Sequence, residues 1–326
     1  MGSILSGTEL NIRLAADSLY KGNLVAFPTE TVYGLGADAT NRDAIERIYE
    51  VKARPSDHPL IVHLYSIQFL SEWAQKIPDY VFELARKFWP GPMTLVLPRK
   101  NMARDFITGG QNSVAIRIPA NRLALALLKD FENIGGIGIA APSANKFGKV
   151  SPTSAHSVLR ELGPYLKSND LILDGGNCEI GIESTIIDCT GAIPRILRPG
   201  SITSELIQSE CQIFVQKYET IYNDSHIRVP GLLRQHYAPN AKVYLSGKPA
   251  EGDGLIALAI HETPMGVLRL AQPKDNEEFA KQLYAALRKA DELKLNKVIV
   301  IPPLGEGIAV AIRDRLIRCA TRTHIS

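Results

Sequence analysis

Cysteine, tryptophan and methionine are scarce in this 326-residue chain, at four, two and four residues. Cys178, Cys189, Cys211 and Cys319 stand far apart and form no CxxC pair. That argues against a zinc ribbon and a disulfide framework, and leaves four small apolar residues to be buried. No run of about 18 uncharged apolar residues is present, so no segment reads as a membrane span. The first ten residues carry neither a basic n-region nor an apolar h-region, so no secretory signal is visible and the expected compartment is the cytoplasm. GxxxxGKS/T, HExxH and GxSxG are all missing, which disfavours a P-loop, a zinc protease and an α/β-hydrolase. Charge of one sign is lacking too. Lys and Arg number 37 against 34 Asp and Glu, a net charge of +3 whose whole excess falls after residue 209. That balance does not announce a nucleic-acid binder, although net charge hides local patches.

What is present is ordinary globular composition, 45% hydrophobic and 22% charged, in a length that suits two domains of roughly 100–200 residues. The first two-thirds alternate helix and strand signals. Residues 8–21 put Ile12, Ala15, Ala16 and Leu19 on one helical face, with Thr8 as cap and Gly22 as terminator. Further helices are predicted over 41–52 (capped by Asn41), 79–88, 121–131 and 152–162. The last is expected to have Ser151 as N-cap and Pro152 at its first position. Strands are expected at 24–27, 60–64, 93–97, 114–118, 138–141, 171–173, 185–189 and 196–197. The pattern is α/β or mixed α+β. The rhythm fails from about 210 to 240, where Pro230-Gly231 and Pro239 punctuate a polar, aromatic stretch that reads as a long linker. Strand signals at 242–245, 255–260, 266–270 and 297–301, a helix at 276–290 and a last helix through Ile308, Ile312, Leu316 and Cys319 suggest a small Rossmann-like domain. The expected division is therefore 1–209, 210–240 and 241–326.

Polar residues inside these apolar segments are the candidates for chemistry. Phe27–Gly36 is a strand end followed by hydroxyls and glycines, which let a ligand approach backbone closely or simply make a tight turn. Lys52 and Arg54 sit at a helix end, where they either complement the helix dipole or clamp phosphate; His58 follows. His63 lies in the apolar strand Leu60–Leu64 and needs a partner, structural or substrate. Strand alternation puts Ser113, Ala115 and Arg117 on one face, so Arg117 suits a carboxylate or a salt bridge across the sheet. Ala140–Asn145 and Ser151 gather small and hydroxyl residues near a helix N-terminus, where free amides favour anions. Glu183-Ser184-Thr185 precedes Arg195 and Arg198, whose opposite parity forbids a shared pocket on a regular strand.

Taken together, PTETVYGLG, KARP with HPLIVH, SVAIRIP, APSAN, EST and RILRPG resemble the threonylcarbamoyl-AMP synthase family of YrdC-like fold, over about Leu10–Leu206. His236-Tyr237-Ala238-Pro239 and the small C-terminal unit resemble its long, two-domain Sua-type members. The resemblance implies a YrdC-like twisted open sheet with helices, and a nucleotidyltransferase that condenses L-threonine, bicarbonate and ATP to threonylcarbamoyl-adenylate and pyrophosphate, with Mg²⁺ accompanying ATP and no transition metal. It implies a catalytic set of Lys52, Arg54, Ser143 and Asn145. Threonine would be held by Thr31, His63, Arg117 and Ser184. ATP would meet Arg54, His58, Ser113, Ala141, Ser143, Ser151, Arg195 and Tyr237, with the 216–239 linker as a lid. tRNA and a downstream threonylcarbamoyl-transferase are the implied macromolecular partners, and nothing in the sequence demands more than a monomer. Two rivals fit less well. Hydrogenase-maturation carbamoyltransferases would add an acylphosphatase-like module and zinc-finger cysteines, neither of which is evident. A plain RNA-binding module would need a basic groove with stacking aromatics.

Overall fold

The computed structural model describes residues 3–218, 227–231 and 236–321. Residues 219–226 and 232–235 of the expected lid, and the ends of the expected first and last divisions, lie outside the described residues.

The first unit runs β1 (Ser3–Ser6), α1 (Glu9–Tyr20), β2 (Val25–Phe27), β3 (Gly34–Asp38), α2 (Arg42–Lys52) and β4 (Ile61–His63). It continues with α3 (Leu70–Trp73), α4 (Asp79–Phe88), β5 (Met93–Pro98), α5 (Asp105–Thr108), β6 (Ser113–Arg117), α6 (Arg122–Asn133) and β7 (Ile139–Ala140). It ends with α7 (Ala155–Leu162), β8 (Leu171–Asp174), β9 (Thr185–Asp188), β10 (Arg195–Arg198) and α8 (Ser204–Cys211). Its strands form one ten-stranded mixed sheet in the order β1-β8-β2-β3-β7-β4-β6-β5-β9-β10. The second unit is β11 (Lys242–Tyr244), β12 (Gly254–Ile256), β13 (Leu268–Ala271), α9 (Asn276–Glu292), β14 (Lys297–Val300) and α10 (Ile308–Cys319). Its four-stranded sheet, β11-β14-β12-β13, is parallel throughout. No helix among the described residues is long and apolar enough to cross a membrane.

Local chemistry sets the helix starts. Thr8, Asn41 and Asn121 each accept a backbone N–H at the N-terminus of α1, α2 and α6, which satisfies a donor the helix itself leaves open. The apolar stripes then pack as their period dictates. Ile12, Ala15, Ala16 and Leu19 of α1 meet Ala124, Leu127, Leu128 and Phe131 of α6 in one buried cluster, which also holds Phe27 and Leu173. A larger cluster gathers Ile45 and Ile48 of α2, Val81, Leu84 and Phe88 of α4, and the apolar strand residues Leu35, Val62, Leu95 and Ile116.

Several boundaries differ from the sequence expectation. β3 reads as a loop because two of its five residues are glycine. At Gly36 an added Cβ would stand 2.8 Å from both Ile139 and Phe27, so the strand fits there only without a side chain. The helix expected from 152 starts at Ala155, and its cap is Ser154, not Ser151. The reason lies in competing bonds. The Pro152 carbonyl accepts from Tyr33 N and the Thr153 carbonyl from Cys178 N, while the Ser151 hydroxyl is taken by Glu183. Residues 151–153 are thus kept out of the helix. β12 is shorter than the 255–260 expected. Of the cysteines, Cys178, Cys189 and Cys319 are buried, whereas Cys211 is only half-buried.

Candidate active site

The strand ends and loops of the first unit surround a hollow. Its wall includes Thr29, Thr31, Arg54, His63, Arg117, Ala141, Ser143, Glu183, Ser184, Arg198, His236 and Tyr237. Eight of the fourteen candidate residues read from the sequence therefore share this one hollow: Thr31, Arg54, His63, Arg117, Ala141, Ser143, Ser184 and Tyr237.

α2 delivers the first cations. It ends at Lys52, and Ala53 turns the chain with φ of 51°, a left-handed conformation uncommon outside glycine. The Lys52 ammonium is buried and donates to the carbonyls of Ser143 (2.6 Å) and Asn145. Burial, reinforced by Arg54, lowers its pKa well below the usual lysine value. Arg54 donates to the Pro59 carbonyl at 2.8 Å and lies over the Phe147 ring. Desolvation brings it down to about 10. Lys52 thus braces the Ala140–Asn145 loop from behind, and Arg54 faces the hollow.

β4 and β6 run parallel with His63 opposite Arg117. The Nδ1 of His63 lies 3.2 Å from the Ile61 carbonyl, which can only accept, so that nitrogen carries the proton. Burial, and then Arg117, pushes its pKa down to about 3, so the ring is neutral. Arg117 is already engaged. It donates to Gly91 O (3.2 Å) and Thr31 Oγ1 (3.0 Å), and its Nη2 lies 2.6 Å from Glu30 Oε1. The salt bridge raised as an alternative for Arg117 exists, although it reaches a loop residue rather than crossing the sheet.

β9 and β10 supply the opposite wall. Ser184 shares a hydrogen bond with Thr94 Oγ1 at 2.8 Å, and its carbonyl and hydroxyl accept from Arg198. The ladder shifts register between Ile196 and Arg198. Arg198 enters the wall, whereas Arg195 turns to Asp188 at 3.0 Å with its side chain 36% exposed. The opposite parity expected of a regular strand is cancelled by this shift, since the ladder partners Asp188 and Ile186 have the same parity; the two arginines part because Arg195 is drawn to Asp188 and Arg198 to Ser184.

The other candidates lie elsewhere. Asn145 is buried behind the Ser143 loop, donating to the Lys146 and Lys149 carbonyls. Ser151 reaches the hollow only through Glu183, to which it donates at 2.6 Å. His58 is half-buried against Phe147. Ser113 is buried at the start of β6, off the wall. The sequence assigned no role to Glu183 or Glu30, although both lie inside the quoted motifs, because the partners that define them, Tyr284 and Arg315 for one and Arg117 for the other, are distant in the chain. The detectable signal was position, since each directly precedes a hydroxyl candidate, Ser184 or Thr31.

Glu183 is the electrostatic centre of the back wall. It accepts from Ser151, from Tyr284 OH (2.9 Å) and from Arg315 Nε (2.9 Å). Burial works to raise its pKa, but Arg315, Arg198 and the hydrogen bonds outweigh it and hold the carboxyl at about 2. Tyr237 (φ 62°) is buried, and its hydroxyl has no hydrogen-bond partner among the described residues. With His236 and Tyr237 in place the free space is about 50 Å³, room for a few waters. Among the described residues no group of three or more His, Cys, Asp or Glu could hold a metal ion.

The large mixed sheet with a buried, cation-rich hollow at its strand ends places the first unit in the class of the Sua5, YciO and YrdC proteins. Residues 17–200 match that family, described as telomere recombination, and residues 202–321 match the threonylcarbamoyl-AMP synthase C-terminal domain. The chain is 39% identical to the threonylcarbamoyl-AMP synthase of Pyrococcus abyssi, covering 94% of this chain and 93% of that protein. It is 40% identical to that of Bacillus subtilis, covering 97% and 94%. P. abyssi Sua5 complexed with L-threonine superposes with a TM-score of 0.86 at 36% identity, over 97% of this chain and 98% of the other. A double variant of the same protein, with a neighbouring histidine and tyrosine changed to alanine, gives 0.86 at 35% over all of both chains. Escherichia coli YciO, at 0.52 and 21% identity, shares the fold over 61% of the chain. The chain belongs to the threonylcarbamoyl-AMP synthase family, in its two-domain form.

Proposed function

We propose that the chain condenses L-threonine, bicarbonate and ATP to threonylcarbamoyl-adenylate and pyrophosphate, as a nucleotidyltransferase serving tRNA threonylcarbamoylation. The observation that carries this is one hollow in which Arg54, Arg117 and Arg198 face the hydroxyls of Thr29, Thr31, Ser143 and Ser184. Three guanidiniums suit several anions at once, and a carboxylate, bicarbonate and a triphosphate are three anions. The threonine bound to the P. abyssi relative supports the amino-acid part.

In this reading Arg117 takes the threonine carboxylate, exchanging or sharing its Glu30 contact, while Thr31, His63 and Ser184 shape the side-chain pocket. The threonine amine, held unprotonated, adds to the carbon of bicarbonate with loss of water. A carbamate oxygen then attacks the α-phosphorus, the bond to the β-phosphate breaks, and pyrophosphate leaves. Negative charge grows on phosphate oxygens, where Arg54 stabilises it and Lys52 holds the Ser143 loop in place. Positioning of three reactants contributes several kcal/mol on its own. Among the described residues no carboxylate cluster suits a divalent ion, and Glu183 already accepts from three donors. In this reading Mg²⁺ accompanies ATP as part of the substrate. Arg195, Ser113 and His58 lie outside the closed hollow, and Ser151 acts through Glu183.

His236 and Tyr237 fill space that a nucleotide needs, since small-molecule sites usually run to about 300–1,000 Å³. The segment would lift for ATP and return over it, keeping water from the carbamate and the adenylate. The test is pyrophosphate release from ATP measured with threonine, bicarbonate or neither. Release should require both, and release unchanged when threonine is omitted would refute the assignment.

A further inference from the structure

The second unit does not merely follow the first. Its hydrophobic core contains residues of three site loops. Val32, next to Thr31, Val150, next to Ser151, and Ile182, next to Glu183, are buried in one cluster with Phe279, Leu283, Tyr284, Leu287, Ile312 and Leu316. The approach is close. A Cβ on Gly181 would stand 2.5 Å from the Cα of Lys281 in α9.

At the centre of this contact lies a polar hub. Arg315 of α10 is 0% exposed. Its Nε donates to Glu183 Oε2 at 2.9 Å, its Nη2 to the Pro199 carbonyl at 3.0 Å, and its Nη1 to Asp314 at 2.7 Å. Tyr284 of α9 donates to the same Glu183 oxygen, and its ring stacks on Tyr237 with centroids 5.6 Å apart. The Arg315 guanidinium lies 5.5 Å from the Tyr237 ring centre. Both donors thus touch the roof residue and the carboxylate that precedes Ser184, and neither lies on the wall of the hollow itself.

We propose that Arg315 and Tyr284 are positioning residues for the synthase site: the C-terminal unit completes the active site by fixing Glu183, and through it Ser151 and Ser184, while forming the floor on which Tyr237 closes. This deepens the proposed function and rests on it. The physical basis is rigidity. A carboxylate bound by a charged fork, a phenol and a serine has one orientation, and each hydrogen bond to a charged group removes freedom from the loop that carries it. Without those donors the Glu183–Thr185 loop would still exist, but its hydroxyls would sample several placements, and misplacement of about 1 Å is costly in a positioned reaction.

The experiment uses the full chain with Tyr284→Phe, Arg315→Lys and Arg315→Met. Tyr284→Phe keeps the ring and its stacking and deletes one donor, so it is the variant expected to fold. Two readouts are taken. The first is hydrogen exchange at 28–33, 149–152 and 181–185. Faster exchange there in Tyr284→Phe, with β12 and β14 unchanged, supports the proposal. Unchanged exchange in those three segments overturns it, whatever reaction the enzyme performs. The second is steady-state pyrophosphate release. The KM for ATP is expected to rise roughly tenfold in Tyr284→Phe, the effect of one lost bond to a charged group. Arg315→Lys should recover part of what Arg315→Met loses. A lower melting temperature with unaltered KM would mark a merely structural contact and sink the idea. Wild-type enzyme that released no pyrophosphate would instead sink the proposed function and leave the exchange result standing.

Discussion

Glu30 and Glu183 are both buried, both lie against an arginine, and both precede a hydroxyl residue on the wall of the hollow. They differ in everything else. Glu183 accepts from Ser151, Tyr284 and Arg315 and is closed. Glu30 stands 2.6 Å from Arg117, yet neither of its oxygens accepts a well-directed hydrogen bond from the described residues. A saturated carboxylate is a joint in the framework. An unsaturated one, paired with a guanidinium that faces a cavity, can yield its place to an incoming carboxylate. The same pair of residue types is thus structural at one site and exchangeable at the other, and the surrounding donors decide which.

The largest effect should come from removing the exchangeable cation. Arg117→Ala is expected to abolish threonine-dependent pyrophosphate release, by roughly a thousandfold or more in kcat/KM, and to eliminate threonine binding by calorimetry. Next is Glu183→Ala, which takes from buried Arg315 one of its two carboxylate partners and leaves Asp314. Breaking a buried pair costs about 3–5 kcal/mol, and the remaining pair keeps the loss at or below that range, readable as a shift in denaturant midpoint. Glu30→Gln takes from buried Arg117 the carboxylate that stands 2.6 Å away, so in the same assay it should destabilise the unliganded chain by a similar amount, up to about 3–5 kcal/mol, with added threonine restoring part of the loss.

The comparison also has a pH signature. Glu183 is held at about 2 in the folded chain against a usual value of 4.5. Its folded pKa is depressed, so its stabilising effect is fully present above about pH 4.5 and is lost as pH falls toward 2. Denaturation of the wild type and Glu183→Gln at pH 7, 4 and 3 should show the gap between them closing across that interval. A constant gap would mean that the hub is not electrostatic. The smallest effect is expected at Arg195, whose partly exposed pair with Asp188 lies outside the wall of the hollow. Arg195→Ala should shift stability by less than about 1 kcal/mol and leave the KM for ATP near the wild-type value in steady-state assays.

Much of the scaffold was legible because apolar period and caps are local. The faces of α1, α2, α4 and α6 could be read from Ile12–Leu19, Ile45–Tyr49, Val81–Phe88 and Ala124–Phe131, and so could the caps Thr8 and Asn41 of α1 and α2. β3 was not, since Gly34 and Gly36 look like turn residues until Ile139 and Phe27 are seen to need the space. The start of α7 was misread because Ser151-Pro152 imitates a helix entry, and only the distant Glu183 shows that the serine is committed elsewhere. Eight candidate residues converge on the hollow, since the motifs that carry them lie at strand ends of one sheet. The hub was hidden because Tyr284 and Arg315 sit a hundred residues or more from Glu183. A buried arginine on an amphipathic helix does not announce its partner.

The central claim is that one site joins an amino acid, a one-carbon anion and a nucleotide. The most direct measurement is mass spectrometry of the product formed from ¹³C-bicarbonate, threonine and ATP. The account predicts threonylcarbamoyl-adenylate carrying the heavy carbon. An adenylate of threonine without that carbon, or AMP with no threonine-containing product, would contradict it.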